Sequence, residues 1–482
     1  MKDHKGEIFR IERDSLGEKP VPADAYYGIH TVRAVENFPV SGRTTHPRLI
    51  HAIVLVKKAA ALTNRKLGHI PENVAGAVLA ACDEILEGRL TDQFVVDAFQ
   101  GGAGTSANMN VNEVIANRAI EILGGTRGDY SRVHPLHHVN CCQSTNDVYP
   151  TALRIAAIKL LRPLSQAFAS LQEALQKKEQ EFADILKLGR TQLMDALPMM
   201  LGQEFGAYAR AVARDRWRLY KAEERLREVN IGGTAIGTGM NASEKYIFLV
   251  TEMLQELTGL GIARSEYPID TTQNTDVFVE VSGLLKSAAV NLIKIANDLR
   301  LMASGPHGGL GEILLPPVQA GSSIMPGKVN PVIPEMVIQT GLRVTANDAA
   351  ITGASMSGQL ELNAFTPLIA EALLESMEMM TRAVALFEKR CICGIRADGE
   401  KCGEHVMKSS VLATALVHHI GYEKASEISA SALRQGKSIR QVLLEENILP
   451  EETLDSILNP RQVTKPGIPG GRTFQGGTHG NE

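Results

Sequence analysis

The sequence predicts a mainly α-helical protein with a central bundle of long helices, a mixed domain before it and a small helical domain after it. Three observations carry that reading. The middle of the chain is rich in Ala and Leu, and Leu153, Ala157, Leu160, Leu164, Phe168, Leu171 and Leu175 recur every three or four residues, the spacing that draws one apolar stripe along a helix. Strand-like alternation is scarce. Composition shifts near residue 143 and again near 397, dividing the chain into residues 1–143, 144–397 and 398–482.

Taken in order, residues 1–143 read as short helices joined by Gly-rich turns. The central portion holds the Leu153–Leu175 stripe and further helical candidates over Pro198–Val229, Thr275–Ala303, Pro331–Thr352 and Phe365–Lys389, each well beyond the ~11-residue mean helix. Helices of that length with few strands bury their stripes against one another, which makes a bundle. Pro163 falls inside the first stripe, where a missing N–H and a ring clash predict a kink or an interruption. After residue 397 the pieces shorten. Ser438-Ile-Arg-Gln441 has capping-box spacing ahead of Val442-Leu443-Leu444, and Pro450 opens another helix. The stretch Gly467–Glu482, with Gly-Gly twice, is expected to be disordered.

A chain of 482 residues is long enough for a large buried core. Its formal net charge of -4, without runs of like charge, argues against nucleic acid or a membrane surface as the partner. Met1–Asp14 is polar and charged, so no signal peptide is expected, and no apolar run approaches a membrane span; a cytoplasmic location follows as the default. Six cysteines are too sparse for a disulfide framework, and Cys391-Ile-Cys393 with Cys402 lacks the paired spacing of a zinc site. Free thiols are expected, with no metal and no cofactor.

The most informative stretch is Gly321-Ser-Ser-Ile-Met-Pro-Gly-Lys-Val-Asn-Pro331. Gly321 and Gly327 free the backbone, Pro326 and Pro331 restrict it, and a helix follows from about Pro334, so the segment reads as a hinged lid. It offers two hydroxyls, the point charge of Lys328 and the amide of Asn330, a set suited to a carboxylate beside a proton-transfer site. With Gly101-Gly-Ala-Gly-Thr-Ser-Ala-Asn-Met-Asn-Val-Asn-Glu113, Gln143-Ser-Thr-Asn-Asp-Val-Tyr-Pro150 and Gly189-Arg-Thr-Gln-Leu-Met-Asp195, it resembles the signature blocks of the aspartase/fumarase superfamily. Pro22-Ala-Asp-Ala-Tyr-Tyr-Gly-Ile-His30 and the collinear order extend the resemblance over nearly the whole chain.

The resemblance implies a three-domain, mainly α fold whose central bundles join in a homotetramer with a twenty-helix core. It also implies active sites assembled from blocks on three subunits. The chemistry is removal of ammonia or water from a substituted succinate to give fumarate. Its difficult step takes a feebly acidic proton from the carbon beside a carboxylate, which leaves a doubly charged enediolate that needs preorganised donors. By resemblance, Ser322 is the general base, while Thr105, Ser144, Thr145 and Ser323 surround the carboxylate that takes the developing charge. Lys328, Asn330, Thr191 and Gln192 match positions that hold the other carboxylate, and Asn146 matches one near the leaving amino group.

Two details select ammonia over water. Ser106 stands where fumarases typically have Gln, and Gln192 stands where fumarases and some aspartases have His, so no imidazole there can share a proton with Glu335. L-aspartate is the expected substrate. Cys141-Cys142, and a stretch His134–Asn140 without the Asn-Asp pair often seen after His-Pro, depart from the pattern and leave another amino acid open as substrate. A fumarase and a catalytically silent family scaffold compete with the ammonia-lyase reading. Intact Ser322, Lys328 and Thr191 argue against the scaffold. Ala303-Ser304-Gly305 matches the tripeptide that cyclises to a prosthetic group in aromatic amino-acid ammonia-lyases, but its context reads as the turn after a long helix. Gly101-Gly-Ala-Gly lacks the Gly-Lys-Ser/Thr ending of a phosphate loop.

Overall fold

The computed structural model describes residues 8–471, so the disorder expected of the tail lies, from residue 472 onward, outside the described residues. Among the described residues there are seventeen α-helices, and the eight short strands pair only into two-stranded sheets. The chain is mainly α, as its periodicity requires. No described helix is long and apolar enough to cross a membrane.

The chain divides into two compact units, one of residues 8–166, 215–290 and 340–382 and one of residues 167–214, 291–339 and 383–471. In the first unit a hairpin of β1 (Phe9–Asp14) and β2 (Gly17–Pro22) precedes α1 (Ile29–Asn37). Then come α2 (Pro47–Lys66), α3 (Glu72–Leu86) and α4 (Thr105–Ile122), with α2 packed on both α3 and α4. At 20 residues α2 corrects the expectation of short helices only, because its run of Ile, Val, Leu and Ala supplies an apolar face throughout. The N-terminal N–H groups of α1 are satisfied from α4: the buried Glu113 carboxylate accepts from Gly28 N at 2.9 Å, His30 N at 2.9 Å and Thr31 N at 3.1 Å.

Five long helices contribute residues to both units. They are α5 (Thr145–Glu181) and α6 (Leu201–Arg225), then, after α7 (Glu244–Thr258) and α8 (Pro268–Gln273), α9 (Asp276–Met302), α10 (Val332–Met356) and α11 (Thr366–Arg390). The predicted stripe of α5 is buried along its whole length, from Leu153 to Leu175. Each such Leu or Phe stabilises the fold by about 1.5–3 kcal/mol. The interruption considered at Pro163 does not occur. Pro163 lies on the exposed side of α5, where a carbonyl freed by its missing N–H is open to water. At Pro150 the same problem is solved by a side chain: the Asn146 carbonyl, which has no donor four residues on, accepts from Asn230 Nδ2 at 3.0 Å.

In the second unit, β3 (Leu186–Thr191) and β4 (Met194–Met200) form a hairpin that the apolar periodicity does not reveal. The helix placed over Pro198–Val229 therefore begins at Leu201, and Pro198 sits in a two-stranded sheet where an edge tolerates its missing donor. The hairpin packs against α12 (Gly399–Lys408), and Leu188 joins Val406, Leu412, Leu416, Ile428, Ile439, Val442, Leu443, Leu454 and Ile457 in one apolar core. Around that core lie α13 (Val417–Ile420), α14 (Tyr422–Gln435), α15 (Ile439–Glu445), α16 (Glu451–Ile457) and α17 (Pro460–Val463). Ser438 and Gln441 form the predicted capping box, and Pro450 precedes α16 as expected.

Candidate active site

The first unit holds Thr105, Ser144, Thr145 and Asn146. The latter three lie at the start of α5, and Thr105 is the first residue of α4. Gly104 before it has φ 91°, and a Cβ there would overlap the Tyr149 ring of α5, so only glycine lets the two helix starts approach. One turn into α4, Asn108 Nδ2 donates to Thr145 Oγ1 at 3.1 Å, which leaves the Thr145 O–H as a donor. Ser144 Oγ likewise accepts from Asn146 N at 3.2 Å and keeps its own proton to donate. Asn146 Nδ2 donates to the Ala235 carbonyl at 2.7 Å, which presents Oδ1 as an acceptor. The Thr105 hydroxyl is turned to the Gly102 carbonyl at 2.7 Å. Ser144 opens onto a pocket of about 340 Å³ that Cys142, Gln143, Thr234 and Met240 help to line.

Beneath this block lie two buried ionisable groups, Lys57 outside the sequence motifs and Asp147 inside one but without a role assigned from it. Lys57 of α2 donates to Asn140 Oδ1 at 2.7 Å and Gln143 Oε1 at 2.9 Å, holding the segment that leads into Ser144. Asp147 accepts from the backbone N–H groups of Ser144 at 3.0 Å, Gly232 at 3.1 Å and Thr234 at 3.0 Å, tying the start of α5 to the Gly-rich loop beyond it. Burial pulls the Lys57 ammonium down to about 7, with the Asp147 charge opposing. Burial pushes the Asp147 carboxyl up to about 7, against its three N–H donors and Lys57. A signal for Lys57 was present: it shares a helix face with Ile50, Ile53, Val54 and Ala61, all buried.

Thr191, Gln192, Ser322, Ser323, Lys328 and Asn330 belong to the second unit. Thr191 and Gln192 stand exposed at the tip of the β3–β4 hairpin. The two-residue turn there puts Gln192 at φ 55° and Leu193 at φ 64°, a conformation that normally takes Asn-Gly. Such strain persists where the surroundings over-determine it. They do so through Glu312, which is fully buried and accepts from Arg190 Nη2 at 2.8 Å, meets His405 Nδ1 of α12 at 2.9 Å and faces Lys187 Nζ at 3.6 Å. Lys187 is also paired with Glu204 at 2.5 Å. Burial works against ionisation of Glu312, but Arg190, Lys187 and His405 outweigh it and lower its pKa.

The Gly321–Pro331 segment is a loop closed at its neck. Gly321 N donates to the Lys328 carbonyl at 2.9 Å, and Asn330 Nδ2 donates to the Gly321 carbonyl at 2.8 Å. A Cβ on Gly321 would overlap the Lys328 carbonyl oxygen. Ser322 Oγ accepts from Ile324 N at 3.2 Å and Met325 N at 3.1 Å, while Ser323 and Lys328 are exposed. Two backbone donors on one hydroxyl oxygen stabilise negative charge there. Glu335, in the first turn of α10, lies 3.7 Å from Arg300. Ala303-Ser304-Gly305 forms the turn after α9, with Ser304 Oγ donating to the Leu301 carbonyl at 2.6 Å and accepting from Leu310 N at 3.0 Å. All six cysteines are free thiols, and among the described residues no group of three or more His, Cys, Asp or Glu could hold a metal ion.

Residues 17–346 match the family model described as "Lyase", and residues 412–465 match "Fumarase C C-terminus". The chain is 50% identical over 461 residues to a protein from Bacillus sp named aspartate ammonia-lyase, covering 96% of this chain and 98% of the relative. To the aspartate ammonia-lyase of Escherichia coli K12 it is 47% identical over 460 residues, 95% of this chain and 96% of the relative. A solved structure titled "fumarate lyase:delta crystallin from Brucella melitensis bound to cobalt" matches with a TM-score of 0.92 at 49% identity, covering 95% of this chain and 100% of that one. The class II fumarase of Schistosoma mansoni matches with a TM-score of 0.90 at 34% identity, covering 94% of this chain and 99% of that one. The chain belongs to this lyase family, the aspartase/fumarase superfamily.

Proposed function

We propose that this chain catalyses the reversible β-elimination of ammonia from L-aspartate to give fumarate, acting as a carbon–nitrogen lyase. The observation that carries the proposal is identity of 47–50% over nearly the full length to relatives named aspartate ammonia-lyase. Gln192 adds to it, since an amide cannot share a proton with Glu335 as a water-activating imidazole would.

In this reading Ser322 Oγ takes the proton from the carbon beside one carboxylate, and its Ile324 and Met325 N–H partners support the alkoxide. The developing enediolate is met by hydroxyl donors from Ser144, Thr145 and Ser323, and from Thr105 once its hydroxyl turns from the Gly102 carbonyl, each contributing about 3 kcal/mol if it behaves as one oxyanion-hole donor. The C–N bond then breaks, and in this reading Asn146 Oδ1 accepts from the departing amino group. Lys328, Asn330, Thr191 and Gln192 hold the second carboxylate. Asn330 keeps one amide N–H beyond the one that closes the loop neck.

A homotetramer with sites shared among three subunits, three domains with boundaries near residues 143 and 397, no cofactor and a cytoplasmic location complete the proposal. The test is fumarate consumption by purified protein with and without ammonium ion, followed by identification of the product. Consumption that requires ammonium and yields L-aspartate supports the reading. Consumption without ammonium, yielding malate, overturns it.

A further inference from the structure

Cys142 lines the pocket onto which Ser144 opens, Cys141 precedes it, and no step of the proposed elimination uses either. Their Sγ atoms are 3.8 Å apart, in contact. Cys142 has φ 61°, which turns its thiol toward the His69 ring, with Sγ 3.8 Å from Nδ1. His69 is held in place by Asn64 Oδ1 at 3.0 Å and by Ser243 Oγ at 3.4 Å. Burial pushes the Cys82, Cys391 and Cys402 thiols up to about 12, and the hydrogen bond to Cys142, with burial, raises Cys141 as well, so within the pair Cys142 is the thiol that ionises first. The adjacent Cys141 thiol draws Cys142 down to about 6, burial opposing and His69 assisting.

We infer that Cys141 and Cys142 form a peroxide-reactive dithiol site that converts to a vicinal disulfide and disables the neighbouring pocket. The Cys142 thiolate attacks one peroxide oxygen, an S–O bond forms as the O–O bond breaks, and the departing hydroxide takes a proton to become water. The Cys141 thiol then gives up its proton and attacks the Cys142 sulfenic sulfur. The hydroxide expelled takes that proton and leaves as a second water. Two thiols lose two electrons and the peroxide gains them. Adjacent Cα atoms stand about 3.8 Å apart, under the usual disulfide minimum of about 4.4 Å, so the ring is strained and its reduction facile. Closing it re-aims the peptide whose Cys141 carbonyl accepts from Asn64 Nδ2 at 3.0 Å and Gln143 Nε2 at 3.1 Å, two residues before Ser144.

The experiment treats the purified full chain with hydrogen peroxide, blocks remaining thiols with an alkylating agent and reads the peptide spanning residues 141–142 by mass spectrometry. The expected result is a peptide lighter by two hydrogens, restored by dithiothreitol. The same change is expected to be absent in Cys142→Ser and replaced in Cys141→Ser by a sulfenic acid that dimedone captures. A second readout rests on the proposed ammonia-lyase activity: turnover of L-aspartate falls roughly a hundredfold, the loss expected for a substrate-holding group misplaced by about 1 Å, and returns with dithiothreitol. Oxidation at Cys393 alone, with Cys141 and Cys142 reduced, overturns the site. A disulfide that forms without loss of turnover overturns its coupling to the pocket. A protein without aspartate turnover before treatment fails the functional reading and leaves the mass result to decide the site.

Discussion

Replacing Glu312 by Gln preserves volume and removes the one buried negative charge that Arg190 and His405 share. In the native protein Glu312 Oε1 meets Arg190 at 2.8 Å and His405 at 2.9 Å, and Oε2 faces Lys187 at 3.6 Å. Removing one partner from a buried ion cluster costs about 3–5 kcal/mol. Because Glu204 still pairs with Lys187 at 2.5 Å, the lower end applies, about 3 kcal/mol. Hydrogen exchange read by mass spectrometry is the suitable assay, since it reads β3 by itself and a chain of two units has no single unfolding transition. Protection of the Leu186–Thr191 amides should fall roughly a hundredfold at neutral pH, the equivalent of about 3 kcal/mol. The folded pKa of Glu312 is lowered, so its stabilisation is present above the unfolded carboxyl pKa and is lost as pH falls through the folded value. The gap between native and variant protection, corrected for intrinsic exchange, should therefore narrow in acid. Equal protection at neutral pH, or a gap that does not narrow, would refute the role given to Glu312.

Two further substitutions probe the supports of the site. Lys57→Met leaves Gln143 Oε1 without its donor, leaves Asn140 Oδ1 only the weaker Asn108 and Asn112 amides at 3.3 and 3.2 Å, and removes a cation that acts on Asp147, so kcat for L-aspartate should drop about tenfold with the helical circular dichroism unchanged. An unaltered kcat would show that the Asn140–Gln143 segment holds itself. Gly321→Ala places a methyl against the Lys328 carbonyl and opens the neck of the loop, so kcat should fall roughly a hundredfold and limited proteolysis within residues 321–331 should quicken. Native cleavage rates with native turnover would contradict a closed neck.

The long helices were legible because burial repeats along them: each apolar residue of the α5 stripe that periodicity picked out is buried. Capping at Ser438 and Pro450 was legible for a local reason, since a cap is written in a few consecutive residues. The β3–β4 hairpin was not. Its turn is Gln-Leu at positive φ, where a local rule looks for Asn-Gly, and tertiary packing through Glu312 imposes what the local sequence does not favour. Within the candidate site the blocks that present side chains could be read as motifs. The groups that hold those blocks could not, because Lys57 and Glu312 act on partners distant in sequence, 83 residues from Lys57 to Asn140 and 93 from Glu312 to His405. Lys57 on an apolar helix face was the one visible sign.

The most direct test of the central claim, that Ser322 is the base for ammonia elimination, is the initial rate of fumarate formation from L-aspartate by Ser322→Ala beside the native protein. Size-exclusion chromatography and circular dichroism on both samples fix assembly and fold. Loss of a general base predicts a fall of roughly 10³-fold with assembly and helix content unchanged. A variant whose rate stays within about tenfold of native, below the range for a lost base, would contradict the claim and return Ser322 to a turn residue held by Ile324 and Met325.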